Sequence, residues 1–226
     1  EPGPFFDLGE LSRTAAHTRY VLTLDSDTQL PPGRLRALVG VAEHPENRPV
    51  LDASGQRVVQ GYGILQPRVV PPLPETSTTS LWQWMFAGQQ GFDSYSAMTS
   101  DVYQDLFGEG SFIGKGIYDV DIFESAVSNV FQENRILSHD LLEGCYARAG
   151  LLSDVHLYED SPPRYELDVA RRERWIRGDW QIARWLWPRV PGANGETLAN
   201  PLSALSRWKI ADNLLRSLAP VALLLL

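Results

Sequence analysis

Cysteine is nearly absent: Cys145 stands alone in 226 residues, so no internal disulfide can form and no second thiol offers metal-ligand spacing. That suits a reducing compartment, and Cys145 is expected in the core. Basic residues are also in deficit, 20 Lys and Arg against 28 Asp and Glu, for a net charge of −8. Nucleic-acid binders draw affinity largely from cations on phosphates, so that class is excluded. Any phosphate-bearing ligand has to meet a local basic cluster. There is no internal repeat, no basic segment followed by an apolar run to mark a signal peptide, and no run of the roughly 20 apolar residues that spans a bilayer. The apolar LAPVALLLL at 218–226 falls well short of that length and is expected to open a transmembrane helix that is truncated here. What is present is a 43% hydrophobic composition, enough for one substantial core.

Apolar, β-branched YVLTL at 20–24 predicts a buried strand, ended by the turn residues of DSDTQLPPG. A helix is expected at 34–43, where Leu35, Leu38, Val39 and Ala42 form one stripe. Strands are expected at 57–62 and 64–70, a helix at 80–87, and a polar, glycine-containing stretch at 88–100 with Phe92 and Tyr95 inside it. Further on, helices are predicted at 121–132 and from Ser138 to a stop at Gly150, a strand at 151–158, and a long helix at 166–187 ended by Pro188. Strands alternating with helices imply an α/β mixed sheet flanked by helices. With the first loop-bearing strand already at residue 20, little room remains for a nucleotide-base-binding half. The expectation is therefore a partial catalytic domain over 1–200, with other parts of a parent protein upstream and downstream.

Asp25 and Asp27 lie at i and i+2 just past a strand end. Hard divalent cations take oxygen ligands, and Mg²⁺ commonly uses one or two carboxylates with water and phosphate completing its shell. Asp is also frequent in ordinary turns after strands, so the pair alone is weak. The aspartyl-phosphate pattern D-x-D-x-T competes, but its threonine falls one position early, at Thr28. GEGSFIGKG at 108–116 fits neither a phosphate loop nor a dinucleotide fingerprint, because Gly110 is too close to Gly114-Lys115 and Ile113 takes the third glycine place. It reads as a loop whose backbone can approach a ligand. Asp140, in Ser138-His139-Asp140, opens a helix, a position that the helix dipole favours for any acid. Between Arg164 and Arg189 seven arginines face four acids, and four of the seven tryptophans join them. Arginine forks suit phosphate oxygens and tryptophan faces suit sugar rings, although a basic amphipathic membrane-surface helix would look similar.

Taken in order, YVLTLDSDT, GYGILQPRV, SDVYQDLFGEGSFIGKGIYDVDIFE, ILSHDLLEG, RRERWIRGDWQ and NPLSALSRWKIADNLLRSLAP resemble the processive glycosyltransferases of the cellulose synthase group, and within it the cyclic β-1,2-glucan synthases. The resemblance implies a glycosyltransferase-A type fold, its acceptor-side half in particular, and inverting transfer from UDP-glucose to a growing β-glucan. It makes Asp25 and Asp27 the pair that holds Mg²⁺ or Mn²⁺ on the donor diphosphate. Asp140 matches the last residue of T-E-D, the general base, with Ser138 and His139 in place of the first two residues. Arg174 and Trp175 match the end of Q-x-x-R-W, with Arg171 at the glutamine position; these three are assigned to the donor. Gly110, Phe112, Gly114 and Lys115 are assigned to the acceptor. The family also implies a bacterial inner-membrane enzyme with its catalytic domain on the cytoplasmic face.

Toward that membrane, Leu202, Leu205, Trp208 and Leu215 beside Arg207, Lys209 and Arg216 predict an amphipathic interface helix over 201–218. Two rival readings stand beside the transferase. One is an aspartyl-phosphate phosphatase or phosphotransferase built on Asp25 and Asp27; the other is a non-catalytic, membrane-associated sugar-binding fragment.

Overall fold

A computed structural model describes residues 17–72, 79–86, 102–128, 130–132 and 135–226. The stretch at 88–100 and part of the helix expected at 121–132 lie outside the described residues. In chain order the strands are β1 (Tyr20–Thr23), β2 (Thr28–Gln29), β3 (Val50–Leu51), β4 (Val58–Gln60), β5 (Ile64–Val70), β6 (Gly116–Asp119), β7 (Ala149–Glu159), β8 (Arg189–Pro191) and β9 (Thr197–Ala199). The helices are α1 (Arg34–Ala42), α2 (Leu81–Phe86), α3 (Val102–Phe107), α4 (Val120–Val127), α5 (Asp140–Ala147), α6 (Tyr165–Ile182) and α7 (Ala204–Leu224).

Five strands form a mixed sheet in the order β1-β6-β5-β7-β2. Only β5 and β7 pair in parallel; the other three pairings are antiparallel. β5 is buried at six consecutive positions, as a central strand covered on both faces must be. On one face α1 packs Leu38 and Ala42 against Leu65, Ile117 and Val155. On the other, Ile64, Phe112, Ala147 and Ala149 join the sheet to the helical layer. That layer has its own core, where Ala126, Leu142, Tyr146, Ile182, Trp185 and Ile210 bring together α4, α5, α6 and α7. Cys145 lies in it at 3% exposure, and burial pushes its thiol up to about 11, as expected of an inert core cysteine. The whole is a mixed sheet flanked by helices of the glycosyltransferase-A-like kind.

Several elements differ from the sequence expectation, each for a local reason. The strand expected at 57–62 is shorter and pairs only with β3, outside the main sheet. Asp52 folds the chain back at this point, its Oδ1 accepting from Ser54 N and Oγ and from Gln56 N, so the nearest partner is local. Pro67 sits inside β5 and has no N–H to give; the β5–β7 register breaks just after it, and Ser153–Val155 of β7 go unmatched before Arg68 pairs with His156. The helix from residue 140 ends before Gly150. Arg148 takes φ 52° and turns the chain into β7, held by Nη1 on Gly61 O at 2.8 Å and Nη2 on Gly108 O at 3.1 Å.

The amphipathic helix and the apolar tail form one helix, α7, with Pro220 inside it. Its first half is partly drawn into the fold, although Trp208 stays 55% exposed. Leu202, just before it, is core, and Lys209 is only 1% exposed, donating to Gly110 O at 2.7 Å and to Glu109 Oε1 at 2.9 Å. Leu215, Leu218, Val221 and Leu223 on the second half are exposed. Among the described residues no helix is long and apolar enough to cross a membrane.

Candidate functional site

β1 and β2 lie on opposite edges of the sheet, so the residues between them, Leu24 to Asp27, carry the chain across the sheet's end. Both sequence-predicted metal ligands ride on that crossing, closed by Thr28 N donating to Asp25 O at 3.0 Å. Thr28 pairs with Glu159, the last residue of β7, and its hydroxyl donates to Glu159 Oε2 at 3.2 Å. A third carboxylate thus joins the predicted pair: ligand oxygens of Asp25, Asp27 and Glu159 all lie within 4.8 Å of one another. Glu159 is buried, whereas the two aspartates are exposed.

Lys115 closes this cluster. Gly116 pairs with Thr23 across β6 and β1, which sets the preceding lysine beside the crossing. Its ammonium is 2.7 Å from Asp25 Oδ2 and 3.0 Å from Glu159 Oε2. Burial works against the charge, but hydrogen bonding to Asp25 and the fields of both acids outweigh it and hold the lysine above its ordinary pKa. Lys115, assigned above to the acceptor, is therefore seated between Asp25 and Glu159.

Gly114 links this cluster to a second one. At φ +88° it takes a conformation open to glycine, and a Cβ there would stand 3.2 Å from the Asp140 carboxylate, which lies against the loop backbone. Asp140 is the first residue of α5, after the N-cap His139. Its carboxyl is held above the usual range, first by burial and then by the charge of Glu143, with His139 and Lys115 opposing. One turn on, Glu143 Oε1 lies 2.7 Å from His139 Nδ1, and this carboxylate keeps the imidazole charged to higher pH than usual. His139, Asp140 and Glu143 also bring ligand atoms within 4.8 Å of one another.

The third wall is α6, and Gly178 lets it come close. A Cβ there would be 2.7 Å from Ser138 Cβ and 3.0 Å from Ser138 N, so only glycine permits this seat beside Asp140. Arg171 lies over the Trp175 ring at 4.8 Å and, with Arg172, holds Asp168. Arg174 is exposed on the same wall. One cavity of about 590 Å³ gathers Asp25, Asp27, Lys115, Asp140, Arg171, Arg174 and Trp175, with Phe112 and Gly114 at its edge. Gly110 alone of the predicted set is absent from its lining; it packs against Leu151 and caps Lys209. Sequence reasoning missed Glu159, although a charged residue ending an apolar strand was a visible signal, and it did not pair His139 with Glu143, which share one helix face at i and i+4.

A mixed sheet whose end carries carboxylates, facing an arginine and tryptophan helix across one cleft, is a glycosyltransferase-A-like architecture. No family profile matches the chain. Over 205 residues, 90% of its length, it is 51% identical to "Cyclic beta-(1,2)-glucan synthase NdvB" of Rhizobium meliloti (strain 1021), and this bears out the resemblance drawn from its motifs. The match covers 7% of that much longer protein.

Proposed function

We propose that this chain is the catalytic part of an inverting, metal-assisted glucosyltransferase that moves glucose from UDP-glucose to a growing β-1,2-glucan. The observation that carries the reading is the single cavity joining the carboxylates of the sheet end, the arginine and tryptophan wall, and Asp140. The likeness to a named cyclic β-(1,2)-glucan synthase supports the glucan product and its linkage class. An all-carboxylate set of Asp25, Asp27 and Glu159 suits Mg²⁺ or Mn²⁺, and the ion when bound would offset the charge developing on a departing diphosphate.

Arg171 and Arg174 present fork-shaped donors to phosphate oxygens from the facing wall, and Trp175 offers a flat apolar face to a ring. Asp140 removes the acceptor hydroxyl's proton. A carboxylate whose affinity for protons is raised by burial is a stronger base than an exposed one, provided it is ionised at the working pH. A single displacement inverts the anomeric centre, turning an α-linked donor into a β-linked product. The exposed apolar second half of α7 fits a seat on a membrane, which in this reading is the cytoplasmic face of a bacterial inner membrane. Incubation of the intact protein with ¹³C-labelled UDP-glucose and Mn²⁺ should release UDP and give glucan with β-1,2 resonances in NMR spectra. Absence of UDP release would remove the transferase reading, and another linkage would remove the β-1,2 assignment.

A further inference from the structure

Among the residues that line the cavity, the reaction above leaves one buried charge unused. Lys115 is 6% exposed and is the only cation paired with Glu159 among the described residues. Burying a carboxylate is costly unless a partner compensates it, and Lys115 supplies that compensation while also binding exposed Asp25. Three carboxylates and one ammonium leave two negative charges, which matches a single divalent cation. Yet an incoming cation finds Asp25 already engaged and meets a like charge next to its ligands. At such separations a unit charge weighs heavily even when screened.

We infer that Lys115 is a resident competitor for the metal position: it holds the carboxylates together without a ligand, and makes capture of a divalent cation depend on the negative charge brought by a nucleoside diphosphate. This rests on the metal reading of Asp25 and Asp27 and adds to it an order of binding. Reciprocity follows, since whatever factor the nucleotide contributes to metal affinity, the metal returns to nucleotide affinity. Once the ammonium gives way at Asp25, it remains tied to Glu159 as a positive charge on the donor side.

Binding of Mn²⁺ to the intact protein, followed by the electron paramagnetic resonance of the free ion, tests this with and without UDP. Wild type should bind Mn²⁺ weakly alone and more tightly with UDP. Lys115→Met should bind Mn²⁺ alone about tenfold tighter or more than wild type, and UDP should then add less. Lys115→Gln serves if methionine does not fold there. Lys115→Arg, which keeps the charge, should follow wild type. If Lys115→Met and Lys115→Gln bind Mn²⁺ alone no tighter than wild type, while wild type still responds to UDP, the competitor role is overturned and the metal reading stands. If Lys115→Arg behaves like the neutral variants, charge is not the cause and the inference also fails. If wild type takes up no Mn²⁺ even with UDP, the metal reading falls and the inference with it.

Discussion

At the sheet end Asp25 and Glu159 grip a lysine, with Asp27 beside them, and at the start of α5 the cation beside Asp140 and Glu143 is a histidine. The two clusters have similar size and share one cavity, but their charges behave differently. Lys115 is held above its ordinary pKa and keeps its proton across the physiological range, a fixed positive charge at the sheet end. His139 and Asp140 are both shifted upward, toward the range where enzymes work, so the helix-start cluster changes charge with pH. A fixed charge suits a metal and a diphosphate; a titrating one suits proton transfer.

The comparison can be broken at either end. Asp27→Asn should abolish glucan synthesis from labelled UDP-glucose, since it removes an exposed ligand that no lysine engages; normal synthesis would end the donor role of the sheet-end cluster. Asp140→Asn should lower turnover by about 10² to 10⁴ and leave UDP binding by calorimetry unchanged. A variant that loses UDP binding as well would show that the two clusters do not divide the work. Gly178→Ala forces a methyl group into Ser138, and should cost about 1 to 3 kcal/mol in denaturant unfolding as α6 moves off its seat. An unchanged midpoint would mean that this contact relaxes freely.

The smallest effect should come from Glu143→Gln. Asp140 must be ionised to accept a proton, and burial with the Glu143 charge raises its pKa, so activity is lost as pH falls through that raised value. Removing the Glu143 charge should shift this acid limb to lower pH, with turnover at neutral pH changing less than about tenfold. His139 and Lys115 oppose the shift and Asp25 adds to it, but in the acid range histidine stays protonated with or without Glu143, so the direction holds. A limb that moves upward, or does not move, would leave Asp140 without its assigned neighbour.

Much of the site was legible because its parts are local. The turn after YVLTL, the helix start at Asp140 and the Arg171, Arg174 and Trp175 stripe are each set by a few neighbouring residues, and all come together in one cavity. What was not legible depends on pairing between distant strands. The place of Lys115 beside Asp25 depends on the register of Gly116 with Thr23. Glu159 became a site residue through Thr28, which is 131 positions away. β6 escaped notice because it is four residues long and begins with glycine, and its stability comes from neighbours on both sides. The α7 pattern hid a related feature: Leu202 and Lys209 match an amphipathic pattern, but tertiary contacts draw both into the interior, while Trp208 and Leu215 stay exposed.

The lysine inside α7 also acts as a tie rod. Its 2.7 Å bond to Gly110 fastens the helix to the loop that, five residues later, carries Lys115. A helix advances about 1.5 Å per residue, so sliding α7 by a single residue would carry that contact beyond hydrogen-bonding reach unless the loop travelled with it. A surface that gripped the leucines of the outer half would act on the loop through this bond.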